Sequence, residues 1–207
     1  MPDPQFPAPA ERNPLAADCR RCPALVEARE RISWGVGPAD AEVVVVGEAP
    51  GAGDPEVERW QGGNWTGMAY TSRHSGRRVR ATMERAGVEA YFTNAVKCYP
   101  ADGESNREPT DEERANCRPY LREEIEQIDP ACVVATGGHA TRSLLAVEGR
   151  SVDSFLDLVL EPQDCPTLGA PVLPLLHPSY REVWVARLGY SEEAYLDTVS
   201  DRLAELL

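Results

Sequence analysis

Four of the six cysteines are spaced so that they could hold a metal. Cys19 and Cys22 have two residues between them, a chelating interval used by both zinc and iron–sulfur sites. Cys98 and Cys117 lie far along the chain, and four thiolates drawn from two remote regions could close a tetrahedral or a cubane site. Such a site would tie the N-terminal segment to the body of the fold. Spacing alone leaves zinc and a four-iron cluster open. Cys132 stands among valines, where a thiol reads as a small buried hydrophobe, and Cys165 lies in a proline-rich loop outside the pattern.

A second group of residues could act on a bond. Glu48, within Gly47-Glu48-Ala49-Pro50-Gly51, is a carboxylate able to orient a water and offset a developing cation. His177, within His177-Pro178-Ser179, could donate a hydrogen bond to a developing anion, and Asn94 offers one donor and one acceptor. Each has a plainer reading when taken singly: a loop acid, a structural histidine before proline, a turn residue. Their shared position is what joins them, because each follows or ends a stretch that reads as a buried strand.

Those stretches define the fold. Ala41 to Gly47 contains four consecutive valines without polar alternation, the pattern of a strand buried on both faces of a parallel sheet. Tyr91 to Val96, Cys132 to Thr136 and Val172 to Leu176 read as three more strands. Helices are expected over Arg77 to Ala86, closed by Gly87, and over Thr110 to Ile128, where Thr110 and Glu113 form a capping box and Pro130 stops the run. Two others are expected, from His139 to Val147 and from Ser191 through Leu206, the latter with Glu192 and Glu193 in its first turn. Strand and helix alternate, so the class is α/β, a three-layer α/β/α arrangement around a central four-stranded, mostly parallel sheet. Ligands of such sheets bind beyond the carboxyl ends of the strands, and the polar or glycine-rich segments fall there. Residues 19–207 are expected as one domain, and residues 1–18, with five prolines, as a flexible arm.

The 207-residue chain carries 34 acidic and 21 basic residues, a net charge of −13, and Lys97 is its only lysine. That balance argues against a general affinity for phosphate backbones. It also fits adaptation to high salt, where excess negative charge keeps a protein solvated and the global count says little about one face. Locally the sign reverses at Arg73, His74, Arg77, Arg78 and Arg80, which read either as a solvated helix face or as a phosphate contact. No apolar run approaches the roughly 20 residues of a membrane span. The N-terminus has no apolar signal-like core, and a cytoplasmic, reducing setting is expected, in which cysteines serve metals more often than disulfides.

Lys97-Cys98-Tyr99-Pro100, Asn106-Arg107-Glu108-Pro109 and Cys117-Arg118-Pro119-Tyr120-Leu121 resemble the cluster-binding region of family 4 uracil-DNA glycosylases. The Gly47–Gly51 segment resembles the first motif of that family, and His177-Pro178-Ser179 the second motif shared across its superfamily. The segments run in the same order from Cys19 to about Ser179. The resemblance implies a uracil-DNA glycosylase fold, base excision repair, and uracil-containing DNA as the partner. It also implies a 4Fe–4S cluster on Cys19, Cys22, Cys98 and Cys117, with zinc as the alternative. Glu48 and His177 would be catalytic, and Gly47, Asn94 and Ser179 would lie at the substrate. Chemically, His177 would donate to uracil O2, Glu48 would orient the water, and Asn94 would match uracil O4 and N3–H, a pattern that cytosine reverses.

One stretch departs from family 4. In place of a short glycine-Pro-Phe segment the chain has Gly62-Gly63-Asn64-Trp65-Thr66-Gly67-Met68-Ala69-Tyr70-Thr71, then Ser75-Gly76, which is similar to family 5 enzymes. In that frame Tyr70 takes the base-stacking place, with Trp65 a second candidate. Family 5 would carry an acid just after Ser75-Gly76, where this chain has Arg77, and this chain keeps Glu48. Asp54 is expected near the C5 edge of the base, and Arg181 with the residues after Ser179 in the DNA groove. His139 and His74 are lesser candidates, His139 with a structural role at a helix start. Two other functions stay open: a non-catalytic iron–sulfur module binding nucleic acid, and a glycosylase for another deaminated base.

Overall fold

The computed structural model describes residues 3–103, 105–179 and 181–207, the side chain of Glu182 excepted. Eight strands and seven α-helices follow in order: β1 (Arg12–Asn13), α1 (Pro23–Ala28), β2 (Gly35–Val36), β3 (Val43–Gly47), α2 (Gly63–Thr66), α3 (Ser75–Arg85), β4 (Ala90–Asn94), β5 (Ala101–Asp102), β6 (Ser105–Asn106), α4 (Asp111–Ile128), β7 (Cys132–Thr136), α5 (Gly138–Leu145), β8 (Val172–Leu175), α6 (Arg181–Arg187) and α7 (Glu192–Leu206). The main sheet has the order β1-β2-β4-β3-β7-β8. Its four long strands run parallel, as expected. It has six strands rather than four, because β1 and β2 add antiparallel pairs at the β4 edge. Two-residue strands carry too little sequence for a period-2 pattern to show.

The valine run explains the layering. Val43 and Val45 join a core with Val79 and Met83 of α3, Val185 of α6, and Tyr195, Leu196, Val199 and Leu203 of α7. Val44 and Val46 point the other way, into a core with Leu121, Ile125 and Ile128 of α4 and Ala140, Leu144 and Leu145 of α5. Alternate side chains of one strand thus feed two cores, so a polar residue on either face would be buried. Helix α4 starts where the sequence places it: the Thr110 hydroxyl accepts from Glu113 N, and Glu113 caps the Thr110 N–H.

The N-terminal segment, expected as a flexible arm, lies along the body. Asp3 pairs with Arg77 at 2.6 Å, Gln5 N donates to Glu84, and the Phe6 ring meets Trp60 edge-on at 5.0 Å before β1 joins the sheet. Proline content suppresses helix here without preventing docking.

Candidate active site

Register brings the strand ends into one row. Gly47 pairs with Asn94 across β3 and β4, and Thr136 with Leu175 across β7 and β8. Beyond the strands the pairing continues, Ala95 N donating to Gly47 O and Val96 N to Glu48 O. Above this row lies a cleft of about 720 Å³ lined by Gly47, Glu48, Tyr70, Asn94, His177 and Ser179, together with Glu108, His139, Phe155 and Trp184. The carboxylate, the amide and the imidazole singled out in the sequence therefore share one cavity. Gly47 has to be glycine: a Cβ there would stand 2.5 Å from Asn94 Oδ1 and 2.7 Å from the Tyr70 hydroxyl.

Electrostatics sort the two ionisable candidates. Burial pushes the Glu48 carboxyl above its usual range; Glu108 adds to that, while His139 and Arg114 oppose it. Glu48 Oε1 is buried and accepts no hydrogen bond from the protein, with His139 Nδ1 at 3.7 Å. His177 is shifted the other way, held below the ordinary imidazole range by burial and by His139. Its Nδ1 accepts from the backbone N–H of Ser179 at 3.2 Å. A neutral imidazole accepting at Nδ1 carries its proton on Nε2, so His177 is set as a neutral Nε2–H donor. Ser179 itself is exposed at the cleft edge.

Tyr70 forms part of the cleft wall. Its backbone is left-handed, with φ 53°. The conformation is held from two sides: the hydroxyl bonds Thr136 Oγ1 at 2.5 Å, and Arg80 Nε donates to the Tyr70 carbonyl at 2.9 Å. Burial pushes the phenol far up, so it stays protonated. Trp65 and Asp54 do not line the cleft. Trp65 lies close to Gly53, and Asp54 accepts from Glu56 N in an exposed turn.

Two arginines are internal: Arg181, expected in the DNA groove, and Arg80, expected either on a solvated helix face or at a phosphate. Arg181 is 8% exposed and pairs with Glu192 at 2.7 Å while donating to Thr82, so it is not free to enter a groove. Arg80 is buried beneath Tyr70 and stacks 4.0 Å from the Phe92 ring centroid. A short apolar spacing between arginines buries some of them, which a count of charges does not show. Arg73, His74 and Arg78 remain exposed. Tyr180, next after Ser179, lies outside the described residues. Sequence reasoning gave His139 a structural role and did not single out Glu108; the available signal was position, since each follows a segment that ends at the cleft.

The four cysteines meet in a third, smaller core. Cys98 and Cys117 are buried with Leu25, Trp34 and Val96, and Cys19, Cys22, Tyr120 and Ala49 pack against them. Three of the sulfurs have a protein donor: Asn116 Nδ2 on Cys22 at 3.5 Å, Arg29 Nη1 on Cys98 at 3.0 Å, and Lys97 N on Cys117 at 3.4 Å. Burial raises the Cys22 and Cys98 thiols and pushes Cys117 up to about 11. All six cysteines are free of disulfides. Among the described residues no three His, Cys, Asp or Glu side chains are set to hold a single metal ion. A tetrahedral zinc would draw four sulfurs to about 2.3 Å from one point; a four-iron cube is a larger body with its ligands at outer corners. The donor set is all sulfur, with Cys98 and Cys117 buried and Cys19 and Cys22 half-buried, which is the ligand chemistry of iron–sulfur and zinc sites.

A buried ion pair links this core to the cleft. Lys97, 1% exposed, reaches Glu124 Oε2 at 2.5 Å, Thr93 Oγ1 at 2.7 Å and the Asn94 carbonyl at 2.6 Å. Glu124 Oε1 accepts from Gly35 N.

These features define a three-layer α/β protein with a polar cleft at the carboxyl ends of its parallel strands and a separate four-thiol core. Residues 34–202 match the model of the Uracil DNA glycosylase superfamily, and the chain belongs to that superfamily. It is 33% identical to the Type-4 uracil-DNA glycosylase of Thermotoga maritima, over 78% of this chain and 77% of that protein. It is also 33% identical to the Type-5 uracil-DNA glycosylase of Pyrobaculum aerophilum, over 67% of this chain and 70% of that one. The Type-5 uracil-DNA glycosylase of Mycobacterium leprae is 26% identical over 86% and 88% of the two chains. Both types are thus among its relatives, in keeping with family 4-like motifs joined to a family 5-like stretch from Gly62 to Gly76.

Proposed function

We propose that this chain removes uracil from DNA by hydrolysing the N-glycosidic bond of a nucleotide turned out of the strand. The observation that carries the reading is the meeting of Glu48, Asn94 and His177 in one cleft at the strand ends. A flipped base costs a few kcal/mol to extrude and is held by stacking and by hydrogen bonds to its edge. Tyr70 supplies the stacking face. Asn94 reads O4 and N3–H. As the bond breaks, charge collects on uracil O2, and the neutral Nε2–H of His177 donates to it from a fixed position. Glu48, ionised, orients the water and faces the cationic sugar.

Cys19, Cys22, Cys98 and Cys117 would hold a 4Fe–4S cluster, whose chemistry here is to brace the fold. Ala49, beside Glu48, packs on that core, and Lys97 reaches from beside Cys98 to the Asn94 carbonyl, so the cluster region supports both cleft residues. An enclosed set of free thiols suits a reducing cell interior. No helix among the described residues is long and apolar enough to cross a membrane.

The test is release of free uracil from a uracil-bearing strand, read as alkali-labile sites. Glu48→Ala and His177→Ala should each slow turnover by about 10²–10³-fold, the loss typical of one transition-state donor, with iron content unchanged. Full activity in both variants removes the assigned roles. A colourless protein holding zinc and no iron removes the cluster.

A further inference from the structure

Three separate segments meet at one imidazole in the cleft. Glu48 comes from the turn after β3, Glu108 from the strap that follows the β5–β6 hairpin, and His139 from the first turn of α5. His139 Nε2 is 3.1 Å from Glu108 Oε1, and its Nδ1 is 3.7 Å from Glu48 Oε1. All three residues line the cleft. We propose that His139 is a positioning residue for uracil excision, standing between Glu48 and Glu108 so that the carboxylate facing the water is held in place beside an imidazole. The proposal rests on the role given to Glu48 above.

Two carboxylates converging on one cavity repel each other, and Glu108 makes ionisation of Glu48 harder. The imidazole between them separates the two and, through Nε2 to Glu108 Oε1, anchors the strap that carries Glu108. The charged groups facing the site are few. Glu48 faces His139, Glu108 and Arg114. His177 faces His139. Arg107 is occupied by a bidentate pair with Glu113, and Arg114 by Asp111 and the Pro109 carbonyl. On the helix of His139 itself, Arg142 lies beside Gly138.

The geometry gives opposite signs for the two partners of His139. Glu48 works as a carboxylate, so activity fails as pH falls through its titration. His139 opposes the upward push on Glu48, so without it Glu48 titrates higher and the acid limb of the pH–rate profile moves up. The titration of His177, which His139 holds down, moves up in the same variant. Without the Glu108 carboxylate, Glu48 titrates lower and the limb moves down. A residue that merely packed would shift neither.

The experiment measures single-turnover excision from a single-stranded uracil oligonucleotide across the acid and neutral range, using intact iron-loaded protein. His139→Gln should move the acid limb up by about one pH unit, with a slowing of about tenfold on that limb that shrinks toward alkaline pH. His139→Lys, which supplies a cation, should recover part of it, and Glu108→Gln should move the limb down. Iron content and melting temperature are followed in each. If the His139→Gln profile overlays the parent or is lowered equally at every pH, while Glu48→Gln is inactive, the bridge is overturned and the site reading stands. Should Glu48→Gln keep full activity, both fall. If the His139 variants do not fold, Glu108→Gln decides: a limb that stays or moves up overturns the proposal.

Discussion

Tyr70 adopts a backbone conformation that bulky residues seldom take, and it does so in the wall of the cleft. Such a residue persists only when its surroundings fix it, here by Thr136 at the hydroxyl and Arg80 at the carbonyl. The side chain therefore has two separable contributions, a ring face and a hydroxyl anchor. Tyr70→Phe keeps the face and loses one hydrogen bond, about 1 kcal/mol of stability, with turnover within a few fold of the parent. Tyr70→Ala loses the face, and weaker binding of the uracil strand, measured as a raised KM, should dominate. Gly47 shows the same crowding from the other side, since a methyl group there would overlap both Tyr70 and Asn94.

At the level of elements, the four parallel strands and the four longest helices could be read because each carries a strong local signal. The valine run marks β3, and Thr110 with Glu113 marks the start of α4 within a residue. That cap is a measurable contribution. Thr110→Ala should cost about 1 kcal/mol, seen as a fall of roughly 2–4 °C in melting temperature for a domain of this size. Excision at low temperature should be unchanged. What could not be read depends on contacts remote in sequence. β1 and β2 pair through two residues each, and docking of residues 3–6 depends on Glu84, Trp60 and Arg77 far along the chain. The same division holds in the site. Glu48, Asn94 and His177 were legible because each ends or closely follows a strand, and strand ends are where such sheets bind ligands. The link from His139 to Glu108 was not, because it exists only once the strap has folded over the cleft. Arg181 and Arg80 misled for the converse reason: their charges are consumed by neighbours that only the fold supplies.

For the whole molecule, a net charge of −13 opposes the approach of a polyanion, and exposed positive charge at the cleft side rests on residues such as Arg73 and Arg78. Long-range repulsion is screened by salt before short-range guanidinium contacts are. Measured kcat/KM for a short uracil strand should therefore rise from low toward physiological salt and fall only above it, the reverse of the usual monotonic decline. A monotonic fall from the lowest salt upward would show that local arginine contacts outweigh the global field.

Because the chain's one ε-amine is sealed against Glu124, side-chain acylating reagents should find no lysine on the native protein, and an endoprotease specific for lysine should leave it uncut. Loss of packing around the adjoining thiols, or heating, would open that site. Mass spectrometry of a single acylated position could then serve as a gauge of whether the cysteine core is intact. Appearance of that label on fully native protein would mean the ion pair opens on its own.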